Sequence, residues 1–128
     1  MRTAIMALCV GAALASGCAS EVKRVPVEVT TSVPEAGRRF VTTVPVEARP
    51  ESGYSRTIRA DTEFVVVGRI AQGLILKPTQ TVLTLEGAHM HEAYAVHRDG
   101  TWVGFYLPVE RAYSALPLPV PMPLQERK

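Results

Sequence analysis

Eight of the ten prolines lie in two blocks, at 26, 34, 45 and 50 and at 117, 119, 121 and 123. They leave the chain little choice of fold. Proline fixes φ and carries no backbone N–H, so it breaks helices and is tolerated in sheets only at edges and bulges. A continuous helix is excluded from both blocks, and central strands are not expected there. The core must come mainly from the stretch between them.

That stretch reads as β. Residues 64–70 form a β-branched run of strand length, and Ala71-Gln72-Gly73 reads as a turn. A short strand at 74–76 ends at Lys77-Pro78, and 81–85 alternates into another. Two apolar-aromatic segments, 92–98 and 101–107, then flank Asp99-Gly100. Asp-Gly supplies the positive φ angles of a two-residue type I′ hairpin. Such a turn sets Arg98 opposite Thr101, His97 opposite Trp102, Val96 opposite Val103 and Tyr94 opposite Phe105. Alternation then gathers Tyr94, Val96, Val103, Phe105 and Leu107 on a core face. His97, Trp102 and Tyr106 share the other face above Ala93, Ala95 and Gly104, which marks them as a partner-binding face.

The expected fold is mainly β: a small antiparallel sheet or barrel of about five strands over 57–110. Its core is small, because a domain of about 60 residues buries only about 60% of its unfolded surface. Residues 18–56 read as a Pro-rich flexible tether, and about 36 such residues reach roughly 30–35 Å. Within it Val25-Pro26-Val27-Glu28 recurs as Val44-Pro45-Val46-Glu47, so an alternative is that these segments dock as short edge strands. Residues 111–128 read as an extended, polyproline-like strap. Its apolar side chains, Leu116 to Leu124, favour packing back onto the sheet.

The start of the chain carries a different signal. Met1-Arg2 is followed by an uncharged run rich in Ala, Leu, Val, Ile and Met, ending in Leu14-Ala15-Ser16-Gly17-Cys18. A basic start, a short apolar run and small residues at the end are the marks of a secretory signal peptide. The run is too short and too diluted by Gly and Ser for a transmembrane helix, which needs about 20 apolar residues. Ala15-Ser16-Gly17-Cys18 resembles the lipobox of bacterial lipoproteins, with Ala15 where that family usually has Leu. The resemblance covers about the first eighteen residues. It implies cleavage between Gly17 and Cys18, a diacylglycerol on the Cys18 thiol, an acylated new amino terminus, and a partner in the lipid bilayer. Two or more acyl chains hold a protein stably where one does not. Ala19, standing where an Asp would signal inner-membrane retention in Gram-negative lipoproteins, points to the outer membrane, facing the periplasm.

Removing residues 1–17 takes away Arg2 alone of the 14 Lys and Arg, leaving 13 against 12 Asp and Glu. The signs are interspersed, with no basic stripe to track a phosphate backbone, so nucleic acid is not an expected partner. Of the two cysteines, Cys9 leaves with the signal and Cys18 would carry lipid, so no disulfide is expected.

Chemistry is sparse. His89 and His91 would share one side of a strand, as metal ligands can. However, Glu92 would point away, and His97 would lie about 20 Å along the strand. They read as surface histidines. No nucleophile elbow, paired carboxylates or phosphate loop is present, so neither enzymatic activity nor a cofactor is expected. Two functions remain in view: a non-enzymatic interaction or structural module in a cell-envelope assembly, bound to other envelope proteins, or a small ligand- or metal-binding lipoprotein. The second needs a barrel with a cavity.

Overall fold

Asp99 and Gly100 both take positive φ, 50° and 76°, as a two-residue type I′ turn requires. On either side of them β8 (Met90–Arg98) and β9 (Thr101–Leu107) pair antiparallel. The computed structural model describes residues 21–128. Within them the fold is made of strands alone, mainly β and antiparallel as expected. Before the hairpin come β1 (Val25–Pro26), β2 (Arg39–Thr42), β3 (Val46–Ala48), β4 (Arg56–Ile58), β5 (Glu63–Ile70), β6 (Gly73–Pro78) and β7 (Leu83–Glu86). After it come β10 (Ala112–Pro121) and β11 (Leu124–Arg127).

The hairpin register agrees with expectation only beside the turn. Arg98 faces Thr101 and His97 faces Trp102, but then Val96 faces Gly104, Ala95 faces Phe105 and Tyr94 faces Tyr106. Val103 is the extra residue of a β-bulge. A one-residue slip sends side chains to the opposite face, so the expected core face is split. Phe105 and Leu107 join Trp102, Ala93 and Ala95 in one cluster; Tyr94, Val96 and Val103 join Tyr106 in another.

The sheet closes on itself through the end of the chain. Strands β9, β8, β6, β5 and β2 follow one another, with β10 beyond β9 and β11 beyond β2. Only Met122 and Pro123 separate β10 from β11. The final strand therefore begins against β9, bends, and finishes against β2. At the bend Met122 donates its N–H to the Gly100 carbonyl, and Thr43 donates to the Pro123 carbonyl. The result is a barrel whose interior is filled by Trp102, Phe64, Phe105, Leu76, Leu107 and Met122, all essentially without solvent exposure. The strand pair β3–β4 adds Val46, Ala48 and Ile58 to the same core. Residues 57–110 do supply five strands, β5 to β9, but closure needs β2, β10 and β11 from outside that range.

The flexible tether expected over 18–56 is replaced, from residue 21 on, by structure. Val25 and Pro26 pair with Tyr113 and Ala112, and Thr30 bridges to Arg69. Between these points Val27 and Val29 pack over Ile70, Tyr106 and Tyr113 on the second cluster. Gly68 permits this crossing, since a Cβ there would come within 2.9 Å of the Thr30 carbonyl and the Val29 side chain. The second copy of the repeat forms β3, with Val46 buried and Glu47 exposed. Proline forbids central strands, yet both copies sit at strand ends or edges, where a missing N–H costs little.

The C-terminal segment packs back onto the sheet, with Leu116 and Met122 buried in the core, but as strands and not as a polyproline-like strap. Val120 and Pro121 pair with Trp102 and Thr101, so part of the Pro-Xaa-Pro stretch lies within the sheet. The register shifts between Ala115 and Val120, and this irregular stretch accommodates Pro117 and Pro119.

Candidate functional site

The bulge at Val103 decides the fate of the expected partner-binding face. Trp102 points into the barrel with no solvent exposure, and its Nε1–H donates to the Gly104 carbonyl at 2.9 Å. Tyr106 is buried in the other cluster, beside Tyr94. His97 is half-buried, with Nε2 3.0 Å from the Met122 carbonyl. Burial lowers its pKa, opposed by that hydrogen bond and by Asp99. The three side chains share no exposed face, because register logic without a bulge assigns them to the wrong sides.

The histidine pair is divided as well. His89 is exposed, 3.8 Å from a Glu21 carboxylate oxygen. His91 is buried, with Nδ1 2.6 Å from Glu110 Oε1. Burial tends to raise the Glu110 pKa, but the His91 hydrogen bond first, then a backbone hydrogen bond and the neighbouring charges, outweigh it and hold the carboxyl below its ordinary value. Among the described residues no three His, Cys, Asp or Glu side chains gather as a metal site. Gly17 and Cys18, the expected cleavage and lipidation residues, lie outside the described residues.

Two features appear that local sequence does not announce. One is a carboxylate at the closure of the barrel. Glu63, at the start of β5, is buried yet accepts from Arg127 Nη1 at 2.9 Å and from Thr79 Oγ1 at 2.8 Å, with Arg39 Nη1 3.5 Å away. Its pKa is lowered, first by the Arg127 hydrogen bond and then by that of Thr79, despite desolvation. One side chain thus ties β5 to β2, to β11 and to the connection after β6.

The other feature is a cleft of about 380 Å³ between residues 57–60 and 80–83, floored by Phe64 and Pro78. Two strands that each have a single partner among the described residues end in its walls: β4, paired only with β3, contributes Thr57 and Ile58, and β7, paired only with β8, contributes Leu83, the rest of both walls being connecting segment. At one end Arg56, on β4, spans the gap and donates from Nε to the Thr84 carbonyl on β7 at 2.7 Å, with Glu86 2.8 Å from its Nη2. Val82, 73% exposed, stands at the lip. An unpaired strand edge offers backbone donors and acceptors to an extended peptide. In this cleft β4 offers them at Thr57 and Ile58 and β7 at Leu83, the Thr84 carbonyl already accepting from Arg56. The barrel interior, by contrast, is packed with side chains and gives no support to the ligand-holding alternative.

Compared with known proteins, the chain matches no protein-family model, no curated protein and no solved structure.

Proposed function

We propose that this chain is a lipid-anchored bacterial envelope protein whose barrel is a non-enzymatic interaction or structural module. The anchor is the acylated Cys18 in the outer membrane, with the barrel facing the periplasm. The docking place is the cleft between β4 and β7, which takes an extended segment of another envelope protein as an added strand.

The observation that carries the docking reading is a cleft into which two singly partnered strands, β4 and β7, each present an end, with an exposed Val82 beside them. Main-chain pairing supplies affinity in this mode, and alternate side chains supply selectivity. The anchoring reading rests on the sequence of residues 1–18.

Mass spectrometry of the membrane-fraction protein tests the anchor; an intact Met1 and an unmodified Cys18 would remove it. A photo-crosslinking residue in place of Val82, compared with one in place of the exposed Leu118, tests the cleft. Adducts at Val82 and not at Leu118 are expected. Equal labelling, or none at Val82, counts against it.

A further inference from the structure

Val22 is buried in the barrel core, near Leu85, Pro50 and Ser114. Only Ala19, Ser20 and Glu21 stand between it and Cys18. Four residue steps span at most about 14 Å even when fully extended. An acylated Cys18 therefore holds the barrel against the membrane instead of on a leash, and one particular end of it must face the lipid. We infer that the end carrying Met90, Val109 and Tyr54 rests on the bilayer and contacts it through these apolar side chains. The inference rests on the acylation of Cys18 proposed above.

The contacts of the first described residues identify that end. Glu21 lies 3.8 Å from His89, the neighbour of Met90. Val25 and Pro26 pair with Tyr113 and Ala112, just beyond Val109 and Glu110, and Glu110 in turn bonds His91 at 2.6 Å. Lys23 Nζ donates to Glu51 at 2.7 Å, in the connection that carries Tyr54. Within these three short segments Met90 is 67%, Val109 78% and Tyr54 47% exposed.

Three ion pairs form at this end, Lys23 with Glu51, Arg56 with Glu86 and Arg24 with Glu21, while Arg49 and Arg111 are exposed and in no ion pair among the described residues. Arg49 and Arg111 lie beside this rim and are free to meet anionic headgroups, so charge attraction adds to the apolar contact where such lipid is present. The apolar contact itself does not require anionic lipid. Tyrosine suits such a boundary, having an apolar ring and a polar tip. Leu118 is as exposed as the rim residues, at 74%. It lies on the part of β10 that runs toward the opposite turn, about 20 Å along the strand from Ala112, and serves as the apolar control.

The test uses the full-length chain, produced in bacteria and purified from membranes. With Cys9 removed and Cys18 acylated, a cysteine at Met90→Cys, Val109→Cys or Leu118→Cys is the only free thiol and takes one fluorophore. Each labelled protein is reconstituted into phosphatidylcholine vesicles with and without brominated acyl chains. Quenching severalfold greater at positions 90 and 109 than at 118 is expected, already in phosphatidylcholine alone. Equal quenching at the three positions, on protein whose Cys18 is shown by mass spectrometry to be acylated, overturns the inference and leaves the anchor standing. An unacylated Cys18 removes the anchor and the inference together.

Discussion

Trp102 donates its indole N–H to the carbonyl of Gly104, two residues along the same strand and 2.9 Å away. That bond satisfies the one polar atom of the largest side chain in the barrel and holds the ring edge-on to Phe105, centroids 5.2 Å apart. Trp102 is thus a core residue, and truncating it will test the fold before it tests any partner. Trp102→Ala is expected to cost about 3–5 kcal/mol of stability. Trp102→Phe keeps most of the packing and leaves the Gly104 carbonyl without this donor, at a cost of roughly 1–3 kcal/mol. Urea unfolding followed by circular dichroism measures both, and a Trp102→Ala protein as stable as the parent would contradict the buried position.

Gly104 shows how the bulge is tolerated. A Cβ at this position would sit 2.5 Å from the Ser114 carbonyl and 2.6 Å from the Tyr113 ring. Backbone cannot retreat as a flexible side chain can, so Gly104→Ala should destabilise by about 1–3 kcal/mol through overpacking. Gly100→Ala makes a useful contrast, with nothing within 4 Å but a φ of 76°. Its cost comes from backbone strain alone, of order 1 kcal/mol. Thermal unfolding of the two variants separates crowding from strain.

The hairpin was legible because its turn chemistry is local: Asp99-Gly100 marks it, and the first two residue pairs follow. The bulge one step further was not, since an inserted residue leaves the apolar alternation looking continuous. Gly104 was the available clue, for a glycine inside a strand often marks a bulge or a close approach of backbone. In the N-terminal segment the prolines mask a pattern that is nonetheless present. Val27-Glu28-Val29 and Val46-Glu47-Ala48 both alternate apolar with acidic residues, as half-buried strands do. Barrel closure and the β4–β7 cleft depend on pairings between residues far apart in sequence, which no local signal carries.

His97 gives a pH dependence with a defined sign. Burial lowers its pKa in the folded protein, whereas the unfolded chain takes up a proton near the ordinary value of about 6.5. Below that value the unfolded state binds more protons, so stability falls as the pH drops from about 6.5 through the folded pKa, then levels off for this group. His97→Gln can keep a donor toward the Met122 carbonyl and cannot titrate. Its unfolding free energy should therefore change less than the parent's between about pH 7.5 and about pH 5.5. An unchanged difference between these conditions would rule out His97 as the source.

Glu63 titrates lower on the scale and with a different consequence. Its folded pKa is lowered by Arg127, Thr79 and Arg39. The stability it contributes is present above the unfolded carboxyl range and is lost as the pH falls through the folded value. The groups it holds include β11, so acid should loosen the closing strand before the rest of the barrel. Hydrogen exchange at amides of 124–127 is expected to accelerate with acid relative to those of β8. Glu63→Gln should show the faster exchange already at neutral pH.

The N-terminal segment offers the sharpest contrast between a tether and a structural part. Residues of a true tether can be deleted without loss, because no buried surface or backbone pairing goes with them. Here Val22 is buried, Val27 and Val29 cover Ile70, Tyr106 and Tyr113, and the Thr30 N–H and carbonyl both bond to Arg69 at 2.9 Å. Burying a valine side chain contributes about 1.5–3 kcal/mol when complete, so removing three partly or fully buried ones should cost several kcal/mol. A chain beginning at Thr31 is therefore expected to unfold at lower urea and to bind a hydrophobic dye on its uncovered face. Replacing Val29 by Asp in the full chain should reproduce part of both effects, because a carboxylate there would face the buried Tyr106 and Tyr113 cluster. A truncated chain as stable as the parent would return residues 21–30 to the role of a leash.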